Sequence, residues 1–255
     1  LWKSLPQGVR LMKSRTLRLL LPLVAALVPT GCRMVAPNPT LAPSSASASA
    51  ASTPIAVAEF RDGLPLIFRE DFSGGDGRWQ PTDPAAWRLV ERDGRRVYEQ
   101  YQQSRYEHPV RSPFNISLIR NLRVADFILE ARLEQTGHEY NHRDMVVVFG
   151  YQGPAHFYYA HLATAADETA HSIFLVNGAP RVSIATERTQ GIDWASGPQA
   201  VRVERRADFG EIVVYFNGTP VMRATDRTFI DGAIGFGTFD DTGIIEEVVV
   251  WGDAR

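Results

Sequence analysis

The chain has 255 residues, with 27 Lys and Arg against 29 Asp and Glu, a formal net charge of −2 and a single cysteine. A balance this close to neutral speaks against nucleic-acid binding, because holding phosphates needs a basic surface. One cysteine excludes an internal disulfide, and a hydrophobic content of 44% suffices for one large core, within the size range of single all-β sandwiches.

In chain order, Met12 reads as the true start, preceded by upstream sequence. Lys13, Arg15 and Arg18 form a positive n-region, and Leu19 to Val28 an apolar run too short for a comfortable membrane span. The run ends in Val28-Pro29-Thr30-Gly31-Cys32, which resembles a bacterial lipoprotein signal with Cys32 as the lipidated mature N-terminus. Gly31 fits that pattern. Pro29 departs from it, since an aliphatic or small residue is usual there, and an ordinary secreted protein is the other reading. More than one acyl chain on Cys32 would anchor the protein firmly. Residues 1–32 are therefore expected to be a signal segment. Residues 33–58, dominated by Ala, Ser and Pro with no charge after Arg33, are expected to be a disordered tether holding the domain off a membrane. The folded domain is expected over residues 59–255.

From Glu59 onward strand signals recur between turns. Leu66–Phe72 reads as a strand closed by Ser73-Gly74-Gly75-Asp76-Gly77. Trp87–Glu91 and Arg96–Gln100 read as a hairpin around Asp93-Gly94. Asp126–Glu134 alternates apolar and polar residues, as do Val201 and Val203 with Arg202 and Glu204. Glu211–Phe216 leads through Asn217-Gly218 to Pro220–Ala224, and Ala233–Phe239 and Ile244–Trp251 close the chain. No long stretch has 3.6-residue periodicity, so the pattern predicts an all-β, two-sheet sandwich or jelly roll.

The block Asp144–Glu187 is the richest in aromatic and β-branched residues. Strand parity places Ile173, Leu175, Val182 and Ile184 on one face of a hairpin turning near Asn177-Gly178, with Ser172, Phe174, Arg181, Ser183 and Glu187 on the other. Phe157, Tyr159 and His161 share one parity, and His156, Tyr158 and Ala160 the other. One set should be core. The other is expected to face an open trough where an aromatic ring could stack on a sugar, with Asn177, Arg181 and Glu187 left for its hydroxyls. A strand covered on both sides by loops is the competing outcome.

Three passages carry a family resemblance. The opening FREDFSGGDGRW resembles the first strand of concanavalin A-like lectin/glucanase domains, and the stretches Val201–Phe229 and Gly232–Gly252 resemble their final strands. The central block is similar to laminin-G-like and 3-keto-disaccharide hydrolase-like domains of bacterial lipoproteins. The resemblance covers about Leu66 to Gly252 and implies a concanavalin A-like jelly roll. Pro198-Gln199 departs from the Trp-His that many relatives carry before the next strand.

The glucanases of that superfamily use Glu-x-Asp-x-x-Glu, and this chain has none; the nearest echo is Glu139–Asp144. Retaining glucanase chemistry is therefore not expected. The 3-keto-disaccharide resemblance implies abstraction of the acidified C2 proton by a base such as His161 or His142, with Asp144 and Glu187 orienting a histidine or ligating a cation. The sugar would lie against Tyr159 and Phe174 with Asn177 and Arg181 as polar partners. The acidic turns Glu70-Asp71 and Asp240-Asp241 could meet where the first and last strands pair, with Asp71 and Asp240 offering a site for a divalent metal, calcium or a transition metal; solvated turn acids are the preferred reading. Three readings stay open: a glycoside-processing enzyme, a non-catalytic glycan-binding module and a structural surface domain. The expected partners are carbohydrate and, through a lipid anchor, a membrane.

Overall fold

The computed structural model describes residues 53–255. The signal segment, Cys32 and most of the tether lie outside the described residues. Sixteen strands follow in chain order: β1 (Phe60–Arg61), β2 (Leu64–Glu70), β3 (Trp79–Pro81), β4 (Trp87–Arg92), β5 (Arg95–Gln100), β6 (Asn115–Gln135), β7 (Asp144–Gly153), β8 (His156–Ala163), β9 (Ser172–Asn177), β10 (Val182–Ser183), β11 (Ala185–Arg188), β12 (Gln199–Arg206), β13 (Glu211–Phe216), β14 (Thr219–Thr225), β15 (Gly232–Thr238) and β16 (Gly243–Ala254). The one helical element among the described residues is a single 3-10 turn, Pro84–Ala86.

Every pairing is antiparallel, and β6 organises them. Its first half pairs with β15 on one edge (Gly237↔Ile116) and β3 on the other (Trp79↔Ile119). Its second half pairs with β12 (Val203↔Leu129) and β16 (Val250↔Leu129). The changeover is marked by a register shift against β15 around Asn121, whose φ of 58° breaks the extended backbone. The first sheet thus runs β10-β9-β8-β7-β15-β6, and the second β6-β12-β13-β14-β11. On the far side of β6 the second sheet continues through β16 to β2 and β5. The chain passes between sheets at Ile184, since β10 pairs with β9 while β11 pairs with β14.

The hairpins follow their turn chemistry. Asp93-Gly94 and Asn217-Gly218 both sit at positive φ (51° and 74°, 49° and 80°), as a two-residue turn of primed type requires. The sheets pack through one core that takes Val147, Phe149, Tyr158, Ala160 and Ile173 from the first and Leu129, Val203, Val214 and Val250 from the second. At one end an aromatic group closes it: Trp87 stacks on Tyr98 at 4.8 Å, and Trp79 meets Phe72 and Phe236 at 5.6 and 6.0 Å.

Candidate functional site

The hairpin pairs as parity assigns, Val182 opposite Leu175 and Ser183 opposite Phe174, but Val182, expected to face the core, is exposed on the short edge strand β10. Ile173 lies in the core, and Leu175 and Ile184 pack against it. The face expected to be an open trough is instead a second apolar cluster of Ile116, Val146, Val148, Phe157, Tyr159, Phe174 and Val176. It is roofed by Val110, from the irregular stretch between β5 and β6, and by Phe239 from the β15–β16 loop. Tyr159 is fully buried and stacks on Phe174 at 5.1 Å. Arg181 lies over Phe239 at 4.1 Å, donates to Thr169 O and is tied through its own backbone N–H to Arg111 O. The protein's own segments occupy the place a sugar ring would take. The physical reason is written in β7: Met145, Val146, Val147, Val148 and Phe149 are all buried, so both faces of this sheet need apolar cover.

Of the residues singled out for catalysis, two meet. His161 Nε2 lies 3.1 Å from Asp144 Oδ2, joined by the β7–β8 pairing that sets Asp144 against Ala163 and Val146 against His161. Both are sealed, with side chains 4% and 1% exposed. Burial, reinforced by the Arg181 charge, pushes the His161 pKa down to about 3, so its ring is neutral. Burial pushes the Asp144 carboxyl up. Burial and the neighbouring Asp144 charge push Asp241 up as well. The contact therefore joins a neutral imidazole to a carboxyl group.

The other two stand apart. His142 is on an exposed loop, hydrogen-bonded through Nε2 to Asp167. Glu187 lies on β11 in the second sheet, opposite and 3.5 Å from Arg223, and does not join His161. Asn177 is exposed at the end of β9, opposite His156. Asp71 accepts from the Ser73 backbone and hydroxyl and lines a cleft with Arg95 and Arg96. Asp240 belongs to another group, Asp144, Asp240 and Asp241, in which one oxygen from each lies within 4.8 Å of the others. Tyr140 joins it, its hydroxyl donating to Asp241 Oδ2 at 2.8 Å. Asp241 was expected in an acidic group with Asp240, but beside Glu70 and Asp71 rather than Asp144; the part Tyr140 plays was not foreseen.

A second locality was also missed. On the outer face of the second sheet a cleft of about 220 Å³ is lined by Glu130, Arg132, Arg202, Tyr215 and the chain at Pro54–Ala56. Arg202 lies 3.8 Å over the Tyr215 ring and contacts Glu204, to which Tyr215 donates. Among the described residues Arg132 has no ion-pair partner, and its Nε is buried without a hydrogen bond. Alternation along β6, β12 and β13 was the available signal: Glu130 faces Arg202 across one pairing, and Arg202 faces Tyr215 across the next.

The sandwich is a concanavalin A-like jelly roll. No family model matches the chain, and no curated protein matches it. Among solved structures it is similar to domain 4 of AbnA, a GH43 extracellular arabinanase from Geobacillus stearothermophilus, in complex with arabinotriose. That match has 13% identity, covers 75% of this chain and 94% of that one, and has a TM-score of 0.50. A carbohydrate binding module, CBM66 from Bacillus subtilis, matches with 15% identity, 69% and 96% coverage and a TM-score of 0.49. The β-glucanase of Bacillus licheniformis matches with 14% identity, 73% and 97% coverage and a TM-score of 0.46. At these identities the likeness is one of fold.

Proposed function

We propose that the chain is an exported, carbohydrate-directed binding domain that takes its ligand in the Tyr215 cleft and performs no chemistry at His161 and Asp144. The cleft carries the reading. It sets a flat wall, Tyr215 under the Arg202 guanidinium, beside Arg132, whose Nε has no partner, and the Glu130 carboxylate, which Arg61 holds at 2.7 Å. A sugar presents an apolar C–H face and a fringe of hydroxyls, and that mix of planar apolar surface with convergent donors and acceptors suits it. The fold of the arabinotriose-bound domain supports the same ligand class. A lipid on Cys32 and the Ala/Ser/Pro-rich tether would hold the domain near a membrane.

Turnover of 3-keto-glycosides is disfavoured by a specific observation: the His161 side chain is 4% exposed, so a substrate has no path to the base it would require. The test is a panel of neutral and uronic-acid oligosaccharides, plus 3-keto-glycosides, offered to the purified full chain with calorimetric and product readouts. Binding that is lost in Tyr215→Ala and Arg132→Ala, without product formation, supports the reading. Silence across the panel favours a structural surface domain, and product from a 3-keto-glycoside restores the enzyme.

A further inference from the structure

The acidic group at the rim of the first sheet is separate from the cleft. We propose that Asp144, Asp240 and Asp241 hold a calcium ion that pins the β15–β16 loop to the start of β7. The three carboxylates offer oxygens within 4.8 Å of one another. Ligands at about 2.3–2.6 Å from a shared calcium lie no farther apart than about 5 Å. Asp144 is fully buried, yet both of its carboxylate oxygens lack a hydrogen-bond partner. Beside it, His161 Nε2 at 3.1 Å from Asp144 Oδ2 is buried and without a hydrogen bond too. Buried polar atoms are as a rule engaged, and an unengaged buried carboxylate points to a missing partner.

Arg181 bears on Asp144 only through its charge, since its side chain donates to Thr169 O. Among the described residues no arginine forms an ion pair with any of the three, and the nearby Arg143 is committed to Gln135 and Glu139. What the protein does supply fixes the oxygens in place. The Asp144 N–H donates to Asp241 Oδ2 at 2.8 Å, and Tyr140 O–H donates to the same atom at 2.8 Å and to Asp240 Oδ1 at 3.3 Å. Gly137 lets its loop approach, since any side chain there would collide with the Asp241 carboxylate. Asp240 is exposed, which gives an entry path and room for water ligands. The donor set is oxygen throughout, which selects a hard cation over zinc or copper.

The consequence is local order. Asp240 and Asp241 follow Phe239, whose ring lies 5.4 Å from His161 and 6.0 Å from Tyr159. An ion on these carboxylates therefore fixes the roof over the second cluster.

The experiment uses the full chain stripped with EDTA, and does not depend on any sugar being found. Terbium is added and excited through the tyrosines, calcium is titrated against it, and thermal unfolding is followed with calcium, magnesium or zinc. Expected are a tyrosine-sensitised terbium signal displaced by calcium, and a melting temperature raised by calcium. Asp240→Asn, at an exposed position that leaves the core intact, is expected to raise the calcium midpoint by at least about tenfold. An EDTA-treated wild type with no terbium signal and no response to millimolar calcium overturns the proposal. So does a variant that binds calcium like the wild type, or a response to zinc without one to calcium.

Discussion

His171 gives the sharpest test of how the first sheet is buried. It ends the loop before β9 at a φ of 49°, is fully buried, and has its Nε2 2.9 Å from Thr189 Oγ1 while Nδ1 has no partner. Burial, then the nearby His161 and Arg188, pushes its pKa down from an ordinary 6.5 to about 4. Between those values the unfolded chain binds a proton that the native protein refuses. Stability from this group is therefore complete above about pH 6.5 and is lost as pH falls toward 4, the loss amounting to about 3 kcal/mol. His171→Asn removes the titration, and asparagine tolerates the left-handed backbone. Urea unfolding of both proteins at pH 7 and pH 4 isolates the effect from other titrating groups. The variant should gain about 3 kcal/mol on the wild type between the two pH values. A stability difference that stays constant with pH would refute the reasoning.

Phe236→Ala, at a fully buried position against Trp79, should cost about 3–5 kcal/mol in urea unfolding through the cavity it leaves. Phe239→Ala should cost about 2 kcal/mol and uncover His161, read as faster modification of that histidine by diethylpyrocarbonate. Tyr215→Ala and Arg132→Gln, on the outer face of the second sheet, should leave stability within about 1 kcal/mol of wild type. Both should weaken oligosaccharide binding by about tenfold or more in calorimetry.

Much of the architecture was legible because alternation and turn chemistry are local. The hairpins at Asp93-Gly94 and Asn217-Gly218 and the two faces of the β9–β10 hairpin all follow from residues within one strand or turn of each other. The length of β6 was not legible, because Asn121 interrupts its extended backbone and the strand resumes in a different sheet. Parity assigned Tyr159 and Phe174 to the face opposite the core, but it carries no information about what lies above that face. The cover comes from Val110, far back in the chain, and from Phe239, far ahead. The apolar run Met145–Phe149 was the one local hint that both faces are buried. Asp240 was expected near Asp71; antiparallel pairing of Gly237 with Val146 instead carries the end of β15 to the start of β7 and hence to Asp144.

The second strand of the domain is completed by the last: Glu70 pairs with Val248 and Phe68 with Val250. A nascent polypeptide emerging from the ribosome cannot close this sandwich until β16 has been made. Contacts so remote along the backbone also slow folding. Such a domain stays open during synthesis, with β2 and the second half of β6 each lacking a neighbour that only β16 provides.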